Sequence, residues 1–341
     1  MKKIFAILTA LALAASVAAC GNAGLSNTAS DTNTKENAQK LTKVRVAIMT
    51  GGASHWYAVI GKEAGIFEKH GLDVEITEFA AGINTVDAIV TGQADFGNLA
   101  DYACVNRLGS TQESTNLRIV DRLSTSKGAN NGGLYVSDDI KSLNDLAGKG
   151  FATQPGTVWD YWVAKTYEKA GIKEEAQNIL NVDSAASAVA LMISGEASAF
   201  WASGTNAAKL EDAGFHSLLK LDDLGLYTDA YYISTSDFLK QNKEVSEEFI
   251  KAQKETADWI YANEDKAAEI FEKASGTSQE QFHSDLAATL LVTDFSQDTL
   301  DHLSDVKTWA VENGRFSDYD ILKFSDFTAL KAVYPDSITI K

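Results

Sequence analysis

Apolar residues follow two spacings along this chain, and segments with the two spacings alternate. The run Val44–Met49 alternates apolar and polar side chains and is rich in β-branched residues, which is typical of a strand. The next segment, Trp56–Lys69, has apolar residues at helical spacing and is closed by Gly71. The pattern continues with strands at Asp73–Glu78, Asp95–Asn98 and Leu117–Leu123 and helices at Thr85–Thr91 and Tyr102–Leu108. This order predicts βα units on a largely parallel sheet.

A second set of βα units begins near Gly133 and ends near Ser234, and a mostly helical tail follows. Two such sets predict an α/β protein with two lobes, in which the C-terminal tail returns to pack on the first lobe. We assign residues 43–134 and 235–341 to lobe 1 and residues 135–234 to lobe 2. The chain is expected to cross between the lobes near Gly133–Ser137 and Tyr231–Thr235.

The N-terminus has the layout of an exported protein. A basic start precedes an apolar run at residues 4–15, too short to span a bilayer, so residues 1–19 are predicted to be a signal peptide. Residues 17–20, Val-Ala-Ala-Cys, resemble the lipobox of bacterial lipoproteins, which makes Cys20 the predicted site of lipidation. Small polar residues then predict a flexible tether, so that residues 20–42 are anchor and tether. The expected location is the outer face of the cytoplasmic membrane, or a periplasm-facing membrane.

Composition and charge exclude several classes of protein. The formal net charge is −17, from 47 acidic and 30 basic residues, which argues against a nucleic-acid partner. The two cysteines are Cys20 and Cys104, so acylation of the first leaves no disulfide framework. No cluster of cysteine and histidine has metal-ligand spacing, and motifs for phosphate loops or activated nucleophiles are absent from the sequence. We therefore expect no metal and no cofactor, and we expect a monomer.

Several stretches together, in order and spacing, resemble the substrate-binding proteins for nitrate, sulfonate and taurine, a group that includes binders of thiamine-type pyrimidines. They are Gly65–Glu75, Ala88–Gly97, Ile140–Lys149, Gln154–Thr157 and Ala190–Trp201. The chain departs from the family pattern at Glu196–Ala199, where relatives usually show Gln-Val-Asp-Ala. The glycines of these stretches, such as Gly65, Gly71, Gly92 and Gly195, stand where helices end, which makes most of the motif scaffold.

The resemblance implies a two-lobed clamshell of the periplasmic-binding-protein type II, with mixed sheets flanked by helices and a ligand in the cleft. It also implies an ABC transporter permease in the membrane as a partner, besides the small-molecule ligand. In open α/β sheets, ligands bind at the carboxyl ends of strands, beside helix N-termini. That rule selects the short loops that follow the strands.

In lobe 1 the rule selects Ser54, His55 and Trp56 after the first strand and Asp101 after the third. Helix capping is the alternative role for Ser54 and Asp101, and core packing is the alternative for Trp56. A solvated loop position is the alternative for His55. An Asp101 that faced the cleft would suit a ligand amine, amidine or hydroxyl.

In lobe 2 the rule selects the turn Gln154–Trp159, which precedes a helix. Gly156 shapes the turn, and Thr157 can offer its hydroxyl and its backbone N–H to an oxyanion, with simple helix capping as the alternative role. Trp159 and Trp201 are predicted to complete an aromatic enclosure, with core packing as the alternative.

These features predict a binding protein rather than an enzyme, one that delivers a small organic anion such as a sulfonate or taurine to an ABC importer. A binder of a thiamine-type pyrimidine or of another aromatic amine or acid is the alternative. An enzyme of the thiamine-pyrimidine synthase type is a remote alternative, because the chain lacks the cysteine-rich run of that enzyme and carries an export signal.

Overall fold

The structure is a computed structural model that describes residues 40–127 and 132–341. The predicted signal peptide, Cys20 and nearly all of the predicted tether lie outside these residues. The described part of the chain belongs to one compact unit, Lys40–Lys341.

The described residues form two sheets, and seven of their strands make up the larger one. They are β1 (Thr42–Met49), β2 (Leu72–Phe79), β3 (Phe96–Ala100), β4 (Leu117–Thr125), β10 (Asp229–Thr235), β11 (Leu290–Ser296) and β12 (Ile338–Thr339). Their order across the sheet is β12-β11-β4-β10-β3-β1-β2. Strand β1 pairs in parallel with β2 and β3, whereas β10 runs antiparallel between β3 and β4.

In the same described part of the chain, five strands form the smaller sheet. They are β5 (Gly133–Val136), β6 (Gly150–Thr153), β7 (Asn178–Asn181), β8 (Ala199–Ala202) and β9 (His216–Lys220). Their order is β7-β6-β8-β5-β9, with β6 parallel to β7 and β8 and with β5 antiparallel to both of its neighbours. Each sheet is therefore mixed, because the strand that enters it from the other sheet runs against the parallel set.

Helices cover both sheets. They are α1 (Gly52–Glu63), α2 (Ile66–Lys69), α3 (Gly82–Val90), α4 (Asp101–Ser110), α5 (Val158–Ala170), α6 (Ala185–Ser194), α7 (Gly204–Asp212), α8 (Ser236–Gln241), α9 (Lys243–Ala262), α10 (Glu264–Ser275), α11 (Gln279–Ala287), α12 (Gln297–Glu312) and α13 (Thr328–Val333). Helices α1, α3 and α9 pack on the large sheet, and α5 and α6 pack on the small sheet. We call each sheet with its helices the large lobe and the small lobe. The predicted two-lobed α/β fold with mixed sheets is confirmed.

The strands and helices predicted between residues 44 and 123 occur, with ends that shift by a few residues, except that the helix predicted at Trp56–Lys69 is divided. It forms α1 and α2, separated at Gly65, which has a φ of 71°.

Two predicted boundaries are displaced. The outward crossing is predicted near Gly133–Ser137, but β5 already pairs with β8 and β9 of the small sheet from Gly133 onward, so that crossing precedes Gly133. The sequence places the return to lobe 1 after residue 234, but β10 already pairs with β3 and β4 of the large sheet from Asp229 onward. The return crossing therefore precedes Asp229. The sequence pattern of β10 is that of any buried strand, so it was assigned to lobe 2 with the strands before it. Its pairing with β3 and β4 shows that it belongs to the large sheet.

The C-terminal tail packs on the large lobe, with α12 against α4 and α13 against α9. It is helical as predicted but also contains two strands that the sequence did not predict. Strand β11 alternates buried and exposed positions and covers the edge of β4 in antiparallel pairing. Its Asp294 interrupts the apolar pattern, and the charge of this residue is paired with Arg122 of β4 at 2.8 Å.

The two segments that connect the lobes run side by side. The backbone N–H of Ser126 donates to the carbonyl of Thr228, and the N–H of Thr228 donates to the Ser126 hydroxyl, both at 2.8 Å. The described parts of the two connecting segments are therefore hydrogen-bonded to each other at Ser126 and Thr228.

Candidate functional site

A cavity of about 240 Å³ lies between the two lobes. It is reached from the carboxyl ends of β1, β3 and β4 in the large lobe and of β6 and β8 in the small lobe. This is the place that the rule for open α/β sheets predicts.

Every described residue that lines the cavity is uncharged at neutral pH. Small and apolar residues make up most of the wall, together with the indole rings of Trp159 and Trp162. The polar members are hydroxyls and amides, namely Ser54, Asn98, Ser124, Thr125, Ser126, Gln154, Thr157, Ser203, Thr228 and Thr289. A ligand here would be recognised by hydrogen bonds and apolar contact, since the described wall offers no ion pair.

The turn after β1 forms one part of the wall on the large lobe. Gly51 and Gly52 have φ angles of 81° and 70°, a left-handed conformation that glycine adopts at no steric cost. Because the N-cap residue Gly51 has no side chain, the first-turn N–H groups of α1 receive no side-chain cap. Uncapped N–H groups at the start of a helix are ready donors for an anion or a polar oxygen.

His55 hydrogen-bonds to this turn from outside the lining of the cavity. Its Nδ1 accepts the backbone N–H of Gly51 at 3.0 Å, so the ring proton is on Nε2, which lies 3.3 Å from a carboxylate oxygen of Glu78. The ring also packs edge-on against Phe271 at 4.9 Å between centroids. Burial lowers the pKa of His55, and the carboxylate of Glu78 opposes that shift. His55 does not line the cavity, so its observed role is to position the turn.

Asn98 of β3 is a polar part of the wall that the sequence analysis did not select. Its side chain is 1% exposed, and its Oδ1 accepts the backbone N–H of Met49 at 2.9 Å. The available signal was a single polar residue near the carboxyl end of a strand whose five residues are all buried. Gln154, Trp162, Ser203 and the run Ser124–Ser126 also line the cavity without having been selected as ligand contacts.

The small lobe contributes the start of α5. Thr157 lines the cavity as predicted, but its hydroxyl donates to the carbonyl of Gln154 at 2.7 Å, and its N–H points to the same oxygen at 3.3 Å. Both predicted donors of Thr157 are therefore engaged within the protein. Trp159 lines the cavity and packs edge-on against Phe200 at 5.3 Å.

Of the eight predicted site residues, the structure brings Ser54, Thr157 and Trp159 to the cavity. Trp56 points away from it, into the core between α1 and the tail, with its ring 5.3 Å from that of Phe282. Trp201 is fully buried and donates its indole N–H to Thr166 at 3.0 Å. These two tryptophans have the core role that was the alternative for each.

Gly156 and Asp101 also lie outside the lining of the cavity. Gly156 has a φ of 76°, and a Cβ on it would lie 3.2 Å from the side-chain amide of Asn106, so it shapes the turn as predicted. Asp101 is buried and accepts the N–H of Asp229 at 3.1 Å and a nitrogen of His302 at 2.8 Å.

The contacts of Asp101 hold the return crossing against the large lobe. The ring of His302 stacks on Tyr227 at 4.1 Å, one residue before Thr228. Burial alone would lower the pKa of His302, but the hydrogen bond and charge of Asp101 outweigh it and raise that pKa. Asp229 is in turn paired with Arg122 at 3.2 Å. Asp101 thus belongs to a buried network beside the crossing rather than to the lining of the cavity.

Two further observations limit the chemistry of the described residues. No group of three or more histidine, cysteine or acidic side chains in residues 40–127 and 132–341 is arranged to hold a metal ion. Within the same residues, no helix has both the length and the apolar character that crossing a bilayer requires.

Two mixed sheets with a cavity between them define a protein with the periplasmic-binding-protein fold. Residues 53–267, more than half of the chain, match the family model described as NMT1/THI5 like, and the chain belongs to this family. Among sequence relatives, a protein of Brucella abortus predicted to be a binding protein is 24% identical over 232 residues, 65% of this chain and 69% of that protein. Brucella suis and Brucella melitensis have relatives with the same identity and coverage.

Solved structures share the fold. The periplasmic aliphatic sulphonate binding protein SsuA of Escherichia coli has a TM-score of 0.70 at 18% identity, over 83% of this chain and 97% of that one. The alkanesulfonate-binding protein SsuA of Xanthomonas axonopodis, bound to MOPS, has a TM-score of 0.70 at 14% identity, over 88% and 98% of the two chains. The desulfurization enzyme DSZB has a TM-score of 0.67 at 13% identity, over 86% and 99%. The fold therefore serves both binding proteins and an enzyme.

Proposed function

We propose that this chain is an extracytoplasmic solute-binding lipoprotein that delivers a small organic anion, such as a sulfonate or taurine, to an ABC importer. Family membership, the binding-protein fold and the N-terminal export and lipobox pattern support this role. The partners would be the solute and a permease in the membrane, and the folded body would act as a monomer on a tether anchored at the membrane surface.

The observation that carries the proposal is the cavity between the lobes. It presents uncapped N–H groups of α1, the Ser54 hydroxyl and the Asn98 amide on one side. Oriented N–H groups at a helix start can hold an anion without a cationic side chain. The aliphatic sulfonates and alkanesulfonates in the names of the two SsuA proteins have such an anionic head.

The indole rings of Trp159 and Trp162 favour a second candidate, a thiamine-type pyrimidine or another aromatic amine or acid. Indole rings that line a pocket suit a planar or apolar ligand body. An aromatic sulfonate would accept hydrogen bonds from the large-lobe donors through its sulfonate and pack its ring against the indole rings of the small lobe.

An enzyme on this fold is the competing class, as DSZB illustrates. Nucleophilic catalysis needs an activated nucleophile with a base within hydrogen-bond reach. The described lining of the cavity includes hydroxyls but no thiol, imidazole, carboxylate or amine, which supports binding over catalysis.

A thermal-shift screen tests the proposed function. The chain from residue 21 onward, which keeps the whole unit Lys40–Lys341, is screened against alkanesulfonates, benzenesulfonate, taurine, nitrate, pyrimidines and aromatic amines. A ligand at a hundred times its dissociation constant should add about 2.7 kcal/mol to the free energy of unfolding. Stabilisation by sulfonates supports the proposal, stabilisation by pyrimidines or amines alone supports the second candidate, and no shift with any compound contradicts both.

The lipid anchor is tested separately in cells. Cys20→Ala should give an unprocessed or released chain that takes up no labelled fatty acid, because the acylated thiol is gone. The matched control is Cys104→Ala, which changes the buried cysteine of the body and should leave acylation intact. A Cys20→Ala chain that is still processed and membrane-bound would contradict the lipoprotein assignment.

A further inference from the structure

The side chain of Asn98 has a fixed orientation at the cavity wall. A backbone N–H can only donate, so the contact with Met49 places the oxygen of the amide toward that strand and leaves the NH₂ group on the opposite side. This NH₂ makes no hydrogen bond to any described residue, although Asn98 is almost fully buried and lines the cavity. The nitrogen opens on the cavity rather than being enclosed by protein, so a bound molecule can serve as its acceptor.

The groups beside Asn98 share its chemistry. Met49 is the last residue of β1 and leads directly into the Gly51–Gly52 turn, so Asn98 and the first-turn N–H groups of α1 stand at the same end of adjacent strands. Both kinds of group are donors only. The Ser54 hydroxyl, which forms no hydrogen bond with the described residues, stands at the same helix start.

We propose that Asn98 determines the specificity of this cavity by donating to an oxygen of an oxyanion head group, and that it thereby rejects ligands with an amine or other donor at that position. This inference rests on the proposed function, because it takes the cavity as the solute site. The preferred solute is then an organic acid whose anionic oxygens meet the large lobe and whose apolar body meets Trp159.

The substitution Asn98→Asp tests this directly, because it preserves the shape of the side chain. One carboxylate oxygen can still accept the Met49 N–H, while the other replaces a donor with a negatively charged acceptor. The probes are benzenesulfonate and benzylamine, which share an aromatic body and differ in the sign of the head group. Titration calorimetry at pH 9 favours the ionised form of the new carboxylate, because burial raises the pKa of Asp121, an aspartate of the same sheet, to about 8.

We expect the wild-type chain to bind benzenesulfonate more tightly than benzylamine, and Asn98→Asp to weaken benzenesulfonate binding by at least about a hundredfold. Asn98→Ala loses the donor without adding a charge and should weaken benzenesulfonate binding by roughly tenfold. This variant provides the test if Asn98→Asp does not fold. The control Asn181→Asp makes the same charge change at an exposed position of β7 and should leave the affinity unchanged.

The outcomes distinguish a failure of the role assigned to Asn98 from a failure of the proposed function. Benzenesulfonate binding that is as tight in folded Asn98→Asp and Asn98→Ala as in the wild type would overturn the role of Asn98 and leave the proposed function standing. A wild-type chain that binds benzylamine and no sulfonate would overturn both the oxyanion class and the role of Asn98.

Discussion

The two walls of the cavity differ in what they leave available to a ligand. On the large lobe, the Asn98 NH₂, the Ser54 hydroxyl and the first turn of α1 have donors that no described residue uses. On the small lobe, the hydroxyl and N–H of Thr157 are already engaged with Gln154, and Trp159 and Trp162 supply aromatic surface. The one polar atom without a partner that is enclosed in this wall, among the described residues, is the Gln154 Oε1, which is an acceptor and not a donor. The difference indicates that the large lobe recognises the polar head of the ligand and that the small lobe covers its body.

After that of Asn98→Asp, the largest expected effect separates a tryptophan of the cavity from a tryptophan of the core. Trp159→Ala should weaken benzenesulfonate binding about thirtyfold with little dependence on salt, since an aromatic anchor at an interface contributes about 2 kcal/mol or more. Trp56→Ala is the matched control. It should cost about 3–5 kcal/mol of unfolding free energy, because the ring is buried against Phe282, and leave the affinity of the folded chain unchanged.

Calorimetry and thermal unfolding on both variants measure these effects. An equal loss of affinity in the two variants would remove the distinction between cavity and core.

A second, intermediate effect concerns the residue that positions the large-lobe wall. His55→Phe should cost about 1–3 kcal/mol of unfolding free energy, because the buried N–H of Gly51 loses its acceptor. His55→Asn should retain most of that energy, since its Oδ1 can replace Nδ1 as acceptor.

The pH dependence of unfolding distinguishes this role from simple packing. Because burial lowers the pKa of His55, the unfolded chain takes up the proton more readily, and the stability contributed by neutral His55 is lost as pH falls below about 6.5. The pKa of His302 is raised, so this residue changes the pH dependence of the unfolding free energy in the opposite direction. Because His302 is present in both chains, subtracting the unfolding free energy of His55→Asn from that of the wild type leaves the contribution of His55. A difference that does not change between pH 5 and pH 8 would contradict the lowered pKa of His55.

The smallest expected effect concerns Thr157. Thr157→Val should change benzenesulfonate affinity by less than about threefold, because the hydroxyl that it removes is already bonded to Gln154. Ser54→Ala, on the other wall, should weaken binding by roughly three- to tenfold. Titrations of the two variants under the same conditions compare the walls directly, and a larger loss for Thr157→Val would reverse their assigned roles.

The order of strands and helices could be predicted from the sequence because apolar spacing directly reflects which face of each element is buried. Strand β11 was missed because a charged residue, Asp294, interrupts its pattern, and only the distant Arg122 explains that charge. The return boundary was misplaced by several residues because the sequence of β10 does not record which sheet it joins.

The sequence rule selected loops that border the candidate cavity, but it could not select which of their side chains line it. The rule for strand ends led to Ser54, Thr157 and Trp159, which line the cavity, and also to Trp56 and Trp201, which do not. An indole one turn along a helix can point to the cavity or to the core, and the packing partners that decide it come from remote parts of the chain. The orientation of Asn98 likewise depends on a backbone N–H from another strand.

The most direct test of the central claim is a crystal structure of the chain from residue 21 onward with benzenesulfonate bound. We predict sulfonate oxygens within about 2.7–3.2 Å of Asn98 Nδ2 and the α1 first-turn N–H groups, with the aromatic ring against Trp159. A sulfonate that instead binds outside the cavity, or with its oxygens on the Thr157 side and its ring toward Asn98, would contradict the division of roles between the two lobes.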